Sequence, residues 1–329
     1  MKIAVCTSSH GFGHTARQLG LIERLVPRHQ VTLFTHAPAM AAVPQSVEVR
    51  RVKWDVGLVQ HDSFGIDVAA TLNWLDQNVG DLLIDRIASH LADFDLCIVD
   101  INPMVMAACA QNGTPVVAVG NFSWSWIYSH FPPLAQWEQR FKAWEAQCDA
   151  IDISDGLGPG LSGFQSIVCA GRLVREGPSV EPIPNSVLLS FGGFGLRSPE
   201  RLMPEGMGLH FMAGAATAAH PRLHGYPERP YEALIASAGV IVTKVGYGIV
   251  TEAVQHGVPL LCLSRSDFPE APILEAWIRK RGDVVLDGPF NSPDFDVRYR
   301  EALARVLSRP RPPRMVQNGA ADICRLLGL

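Results

Sequence analysis

The sequence predicts an α/β protein of two doubly wound domains in series, on three observations. Short β-branched or apolar runs alternate with stretches of helical periodicity along the chain. The alternation breaks once, over residues 171–186, where "GRLVREGPSVEPIPNS" carries three prolines and little periodicity, and then restarts. Glycine-rich loops follow the first strand of each half. The expected organisation is a first Rossmann-like domain over 1–170, a linker over 171–186 and a second Rossmann-like domain over 187–329. Ligands of such folds sit outside the carboxyl ends of the strands, so a cleft faced by both domains is the expected site.

"KIAVCTSS" reads as a buried strand ended by glycine. "TARQLGLIERLV" puts Ala16, Leu19, Ile22, Leu25 and Val26 on one face, an amphipathic helix, and "QVTLFTH" is the next strand. Strand, helix and strand at this spacing make a βαβ unit with a parallel sheet. The helix "GDLLIDRIASHLADF", the strand "DLCIVD", the helix "PMVMAACAQNG" and the strand "TPVVAVGNF" continue the first half. The second half offers the strand "SVLLSF", the loop "GGFG" and the helix "PYEALIASA". The strand "GVIVTK", the helix "IVTEAVQHG" and the strand "VPLLCLS" follow. A last helix, about "QNGAADICRLLGL", can pack on either half.

Composition narrows the function. The chain has 329 residues and a formal net charge of −4, which disfavours a nucleic-acid binder because that needs a basic face. Seven cysteines stand singly, as free thiols of a reducing compartment do. "MKIAV" is too short an apolar start for a signal peptide, and no apolar run is long enough to span a bilayer. A cytoplasmic protein without integral membrane contact is expected.

Residues 8–17, "SSHGFGHTAR", lie between the first strand and helix. Gly11, Gly13 and Ala16 match G-x-G-x-x-A, which alone suggests a dinucleotide. The acidic residue due about 20 positions later is missing, since Thr35 and His36 end the second strand, so NAD is disfavoured. A helix N-terminus favours neutral imidazole, the form a general base needs. His14 adjoins the helix start and His10 competes for the role; a turn-capping histidine is the plain alternative. Asp100, ending "DLCIVD", emerges on the same sheet edge and can hold the imidazole, or it can simply cap the helix after it.

"TKVGYGIVTEAVQHGVP" is the most informative segment. Lys244 ends a strand, Gly246 and Gly248 open a loop, and a helix follows near Ile249. Backbone N–H groups at a helix N-terminus present an anion site, and Lys244 adds full charge. Glu252 can accept from two vicinal hydroxyls of a ribose. Gly192, Gly193 and Gly195 in "GGFG" form a second loop that can face the same anion. Together they suggest a nucleoside diphosphate.

"GFGHTAR" paired with "GYGIVTEAVQHGVP" resembles the GT-B glycosyltransferases, of the MurG-like and UDP-glycosyltransferase type. The likeness to the glycosyltransferase-like N-terminal region of plant-type L-arabinokinases adds "WDVGLVQHDSFGID", "NFSWSWIY" and "SRSDFPEAP" and runs over nearly the whole chain. The resemblance implies an acceptor on the first domain and a nucleotide sugar, with uracil as base, on the second. It implies His14 as base with Asp100, Glu252 on the ribose, and Asp267 and Glu270 near the donor sugar, with Gly13, Arg175 and Thr251 also on the donor side. Two departures stand out: "GGFG" replaces a serine-containing turn, and "DFPEAP" replaces the usual glutamines. Phe122 and Trp124, with His10, can wall the acceptor side, although aromatic runs such as "FSWSWIY" commonly pack in cores.

The expected activity is inverting, metal-independent glycosyl transfer, with a nucleotide sugar as co-substrate, no cofactor, and an acceptor the sequence does not name. A nucleotide-sugar epimerase or hydrolase on the same fold, and a non-catalytic nucleotide-sugar-binding module, are the alternatives.

Overall fold

The computed structural model describes residues 1–36, 43–175, 177, 180–192, 198–213, 220–226, 229–316 and 319–329. The chain divides into two compact units. The first comprises Met1–Val59, Ile66–Val174 and Asn318–Leu329, and the second Gln60–Gly65 and Arg175–Gln317. Of the proline-bearing segment 171–186, residues 171–174 fall in the first unit and 175–186 in the second.

In the first unit the elements are β1 (Lys2–Thr7), α1 (Phe12–Leu25), β2 (Gln30–Thr35), β3 (Glu48–Arg51), α2 (Val68–Asn78), α3 (Asp81–Leu91) and β4 (Leu96–Asp100). They continue with α4 (Pro103–Asn112), β5 (Val116–Gly120), α5 (Trp124–Tyr128), α6 (Ala135–Glu145), β6 (Asp149–Asp152) and β7 (Ile167–Cys169). Among the described residues the sheet has seven strands in the order β3-β2-β1-β4-β5-β6-β7, every pairing parallel. The order reverses between β1 and β4, so the loops leaving those two strands form the topological switch point, where such sheets bind ligands. Ile3, Val5, Val31, Leu33, Ile98 and Val119 are buried on the strands, and Leu19, Ile22 and Leu25 of α1 close over them.

The second unit holds β8 (Ser186–Ser190), β9 (His210–Ala213), β10 (Leu223–Gly225), α7 (Tyr231–Ser237), β11 (Val240–Lys244) and α8 (Tyr247–Gln255). β12 (Leu260–Leu263), α9 (Ala271–Lys280), β13 (Val284–Leu286) and α10 (Phe295–Leu307) complete it. Its sheet of six described strands runs β10-β9-β8-β11-β12-β13, also parallel throughout, with its switch point between β8 and β11. The core joins Val187, Leu189, Val240, Val242 and Leu261 to Tyr299, Leu303 and Val306 of α10.

The last helix, α11 (Gly319–Leu327), packs in the first unit, with Ala320 and Ile323 in the same core as Leu19 and Ile22. The approach at its start is close: a Cβ on Gly319 would lie 1.8 Å from the Gly171 carbonyl oxygen. Gly319 N–H donates to Arg172 O at 2.8 Å and Gly171 N–H to Asp322 Oδ2 at 3.1 Å. No described helix is long and apolar enough to cross a membrane.

Candidate active site

The first helix opens earlier than the apolar periodicity suggests. Gly11, at φ 86°, is its N-cap, a left-handed conformation that glycine adopts without a Cβ penalty. Gly13 and His14 therefore lie within the first helical turn, and His14 is 7% exposed. His14, Arg17 and Gln18 stand three and four residues apart, on one helix face. All three reach Asp100 at the end of β4. His14 Nδ1 is 2.7 Å from Asp100 Oδ1. Arg17 Nε donates to Oδ2 at 2.6 Å, Arg17 Nη2 donates to Oδ1, and Gln18 Nε2 donates to Oδ2 at 2.9 Å. Arg17 Nη1 also donates to Asn121 Oδ1.

Asp100 is fully buried. Burial favours the neutral acid, but the charges and hydrogen bonds of Arg17 and His14 outweigh it and hold the carboxyl well below the usual carboxylate range. An ionised carboxylate only accepts, so the proton between the two side chains belongs to His14 Nδ1. In the neutral ring that tautomer puts the lone pair on Nε2, the atom a general base would use. Asp100 does not cap the next helix; Asn102 does, accepting from Met104 N–H at 3.1 Å and Val105 N–H at 3.4 Å. Between them Ile101 has φ 50°, a strained conformation for a β-branched residue and one that clusters at functional sites.

His10 is engaged in the opposite sense. Its Nδ1 accepts from Leu58 N–H at 3.2 Å, which puts the proton of the neutral ring on Nε2 and makes that edge a donor. Phe122 and Trp124 lie beside His14, with ring centroids 6.4 Å and 6.2 Å away, and Trp124 also meets His10 at 5.1 Å. Trp124 and Tyr128 are buried core residues. Gly57, at φ 59°, passes so close that an added Cβ would lie 2.5 Å from the Trp124 ring. Glu145, whose carboxyl burial pushes up to about 7, anchors α5 by accepting from Ser125 N–H at 3.2 Å.

Sequence reasoning gave no role to Arg17 or to Asp55. Arg17 was legible as the position three after His14. Asp55 accepts from Ser8 Oγ at 2.6 Å and Ser9 N–H at 2.5 Å and so pins the loop before α1; burial raises its carboxyl. Its signal lay in "WDVGL". Where a dinucleotide fold would carry its ribose acid, Thr35 Oγ1 instead lies 2.9 Å from the Thr7 hydroxyl and 2.7 Å from that of Thr15.

In the second unit, Gly246 is the N-cap of α8, which begins at Tyr247 rather than Ile249 and has neither a capping side chain nor an acidic residue in its first turn. Gly248 stands within that turn. A Cβ on Gly246 or on Gly192 would meet no atom within 4 Å, and Gly192 needs φ 69°; Gly193 and Gly195 lie outside the described residues. Lys244 ends β11 half-buried. Burial and the neighbouring Arg265 push its ammonium down to about 7, against the opposing pull of Glu270 and Asp62.

Glu252 is on the second turn of α8, half-buried. Burial and Glu232 push its carboxyl up to about 7, opposed by Arg175. Arg175 Nη1 donates to Glu232 Oε2 at 2.8 Å, so Arg175 and Glu252 belong to one cluster of charge. Tyr231 shares a hydrogen bond with Ser190 at the end of β8. The Thr251 hydroxyl donates to Tyr247 O within the helix at 2.6 Å, which leaves it only as an acceptor toward a ligand. Glu270, the N-cap of α9, acts on Lys244 and Arg265, while Asp267 is exposed and accepts from Ser266 Oγ at 3.2 Å. Asp62 accepts from Phe64 and Gly65 N–H at 2.8 Å and 3.0 Å. No group of three or more His, Cys, Asp or Glu among the described residues is placed to hold a metal ion.

Two parallel, doubly wound units, each with a glycine-lined helix start at its switch point, make up the GT-B fold of nucleotide-sugar glycosyltransferases. The solved structures agree: the spinosyn forosaminyltransferase SpnP matches with a TM-score of 0.63 at 18% identity, over 100% of this chain and 95% of that one. UGT89C1 of Arabidopsis thaliana, complexed with UDP, matches at 0.62 and 14% identity, over 94% and 91%. A UDP-glucosyltransferase from Polygonum tinctorium capable of glucosylating indoxyl matches at 0.59 and 14%, over 99% and 97%. In sequence, the chain is 27% identical over 307 residues to L-arabinokinase of Arabidopsis thaliana, covering 83% of this chain and 29% of that protein. The chain thus spans less than a third of that relative's length. No protein-family model matches.

Proposed function

We propose that the protein is an inverting glycosyltransferase that moves a sugar from a nucleoside diphosphate sugar to an acceptor hydroxyl without a metal ion. The observation that carries this reading is the His14–Asp100 pair at 2.7 Å, at the switch point of the first sheet. His14 Nε2 takes the acceptor proton as the acceptor oxygen forms its bond to the anomeric carbon. The bond from that carbon to the diphosphate oxygen breaks on the opposite side, and the diphosphate leaves with the electron pair. Asp100 holds the ring in its productive tautomer and stabilises the imidazolium.

On the donor side the N–H groups of the α8 start and Lys244 meet the charge of the leaving diphosphate, and Glu252 accepts from the ribose hydroxyls. Asp267 and Glu270 stand on the sugar side. A fold relative solved with UDP supports uracil as the base.

The test is turnover of UDP-sugars with a panel of hydroxyl acceptors in excess EDTA. Activity should persist there, and His14→Ala should lower it by about 10²–10⁴-fold while donor affinity holds. His10→Ala should cost far less, because its Nδ1 serves Leu58. Turnover that vanishes with EDTA and returns with Mg²⁺ contradicts the metal-free reading. Full turnover in His14→Ala removes His14 as base.

A further inference from the structure

Arg265 follows β12 by two residues, and Leu263, the last residue of β12, is paired in register with Lys244. The two basic side chains thus leave adjacent parallel strands at the same sheet edge. Arg265 is 5% exposed. Its Nη1 donates to Val245 O at 3.2 Å, the residue immediately before the Gly246 cap of α8. The Phe268 ring covers one face of the guanidinium, with its centroid 3.2 Å from Cζ. Nε and Nη2 have no hydrogen-bond partner.

Buried guanidinium N–H groups without acceptors are unfavourable unless something else accepts from them. The helix start beside them presents donors of the same kind. The first turn of α8, Gly246-Tyr247-Gly248-Ile249, has no side-chain cap, and its backbone N–H groups call for an acceptor. A guanidinium fork and a helix N-terminus recognise the same chemistry, an oxyanion.

We infer that Arg265 is an anion-binding residue of the donor site, donating from Nε and Nη2 to a diphosphate seated at the α8 N-terminus beside Lys244. The inference rests on the donor-site reading and adds to it a residue that the glycine-loop pattern does not contain. Arginine suits the position because it stays charged where burial drains charge from Lys244. Asp62, Asp267 and Glu270 act on Arg265 electrostatically but leave Nε and Nη2 open. They moderate the positive charge of the site, so that a diphosphate can depart after transfer.

The experiment is calorimetric titration of inorganic pyrophosphate, UDP and uridine into the wild-type protein and into Arg265→Met, whose thioether fits against Phe268. Pyrophosphate and UDP should bind the variant about 10- to 100-fold more weakly, the range for a lost charge-assisted hydrogen bond, with uridine unchanged. A residue that merely pins the Val245 carbonyl would lower the melting temperature yet leave pyrophosphate affinity within twofold, and that result overturns the inference. So does a wild-type protein that binds no pyrophosphate. Pyrophosphate binding that depends on Arg265, with UDP no tighter than pyrophosphate, keeps the inference and discards the nucleotide reading. If Arg265→Met does not fold, Arg265→Lys identifies the Arg265 Nε–H resonance by its loss. That resonance should shift in the wild-type protein on addition of pyrophosphate but not of chloride, and an unmoved resonance overturns the assignment.

Discussion

Replacing Asp100 by asparagine should damage the fold and the chemistry by separable amounts. Four donors converge on this one carboxylate, from His14, from Arg17 twice and from Gln18. Asparagine offers one accepting oxygen and turns an NH₂ group toward the remaining donors. It also leaves the Arg17 guanidinium buried without its counter-ion. Breaking a buried pair by removing one partner costs about 3–5 kcal/mol, so the urea midpoint of Asp100→Asn should fall accordingly. Arg17→Met added to it should recover part of the loss, because the unpaired charge goes too.

The acid limb provides a second reading of the same quantity. The folded carboxyl lies below its unfolded value of about 3.9. Its stabilisation is therefore complete above that pH and disappears as pH falls toward the folded value. In Asp100→Asn this part of the acid dependence should be absent. Per folded molecule, turnover should fall less than in His14→Ala, since the imidazole remains while its orientation loosens. A variant destabilised by less than about 1 kcal/mol, the scale of a neutral hydrogen bond, would refute the buried-charge account of Asp100.

UDP affinity should peak near neutrality. Lys244, pushed down to about 7 by burial and Arg265, loses its charge as pH rises, while Glu252, pushed up to about 7 by burial and Glu232, loses its carboxylate as pH falls; affinity flat from pH 5.5 to 8.5 would exclude both from the site. Glu252→Ala should weaken UDP by about 1.5–3 kcal/mol in calorimetry and level the acidic side of that profile, and an unchanged affinity removes the residue from the ribose. Gly57→Ala sets a methyl group against Trp124 and His10 at φ 59°; overpacking of this kind costs about 1–3 kcal/mol, read from thermal melts, and an unaltered melt would mean the loop yields freely.

The sequence carries the frame of this molecule more clearly than its joints. Buried parallel strands such as "KIAVCT" and "VIVTK" are continuous apolar runs, and composition alone exposes them. β3, with its Glu48 and arginines, and β7, with all three residues exposed, lack that signal because they lie at sheet edges. α6 escaped because its apolar residues are diluted by glutamine, arginine and lysine. His14 and Asp100 were legible because a sheet edge needs only strand order to bring two loop residues together. Arg17 was legible only as a position on the His14 face of its helix, and Arg265 not at all, since hydrophobic patterning says nothing of where a buried cation finds its oxygens. Residues 60–65 hid for a different reason. A short polar stretch can change its allegiance through contacts such as Ser63 Oγ to Phe191 O, 3.1 Å across 128 positions.

The first unit is assembled from three stretches of chain and the second from two, which determines how the protein can be taken apart. A fragment ending at Val174 would retain every strand of the first sheet and still lack α11. Leu19 and Ile22 would lose the cover of Ala320 and Ile323, and the Arg172 carbonyl would lose its Gly319 partner. Dissection therefore calls for grafting rather than truncation: residues 319–329 rejoined after Val174 through a new loop, with 60–65 replaced by a short turn. A study of the His14 chemistry in isolation begins with that rearranged chain.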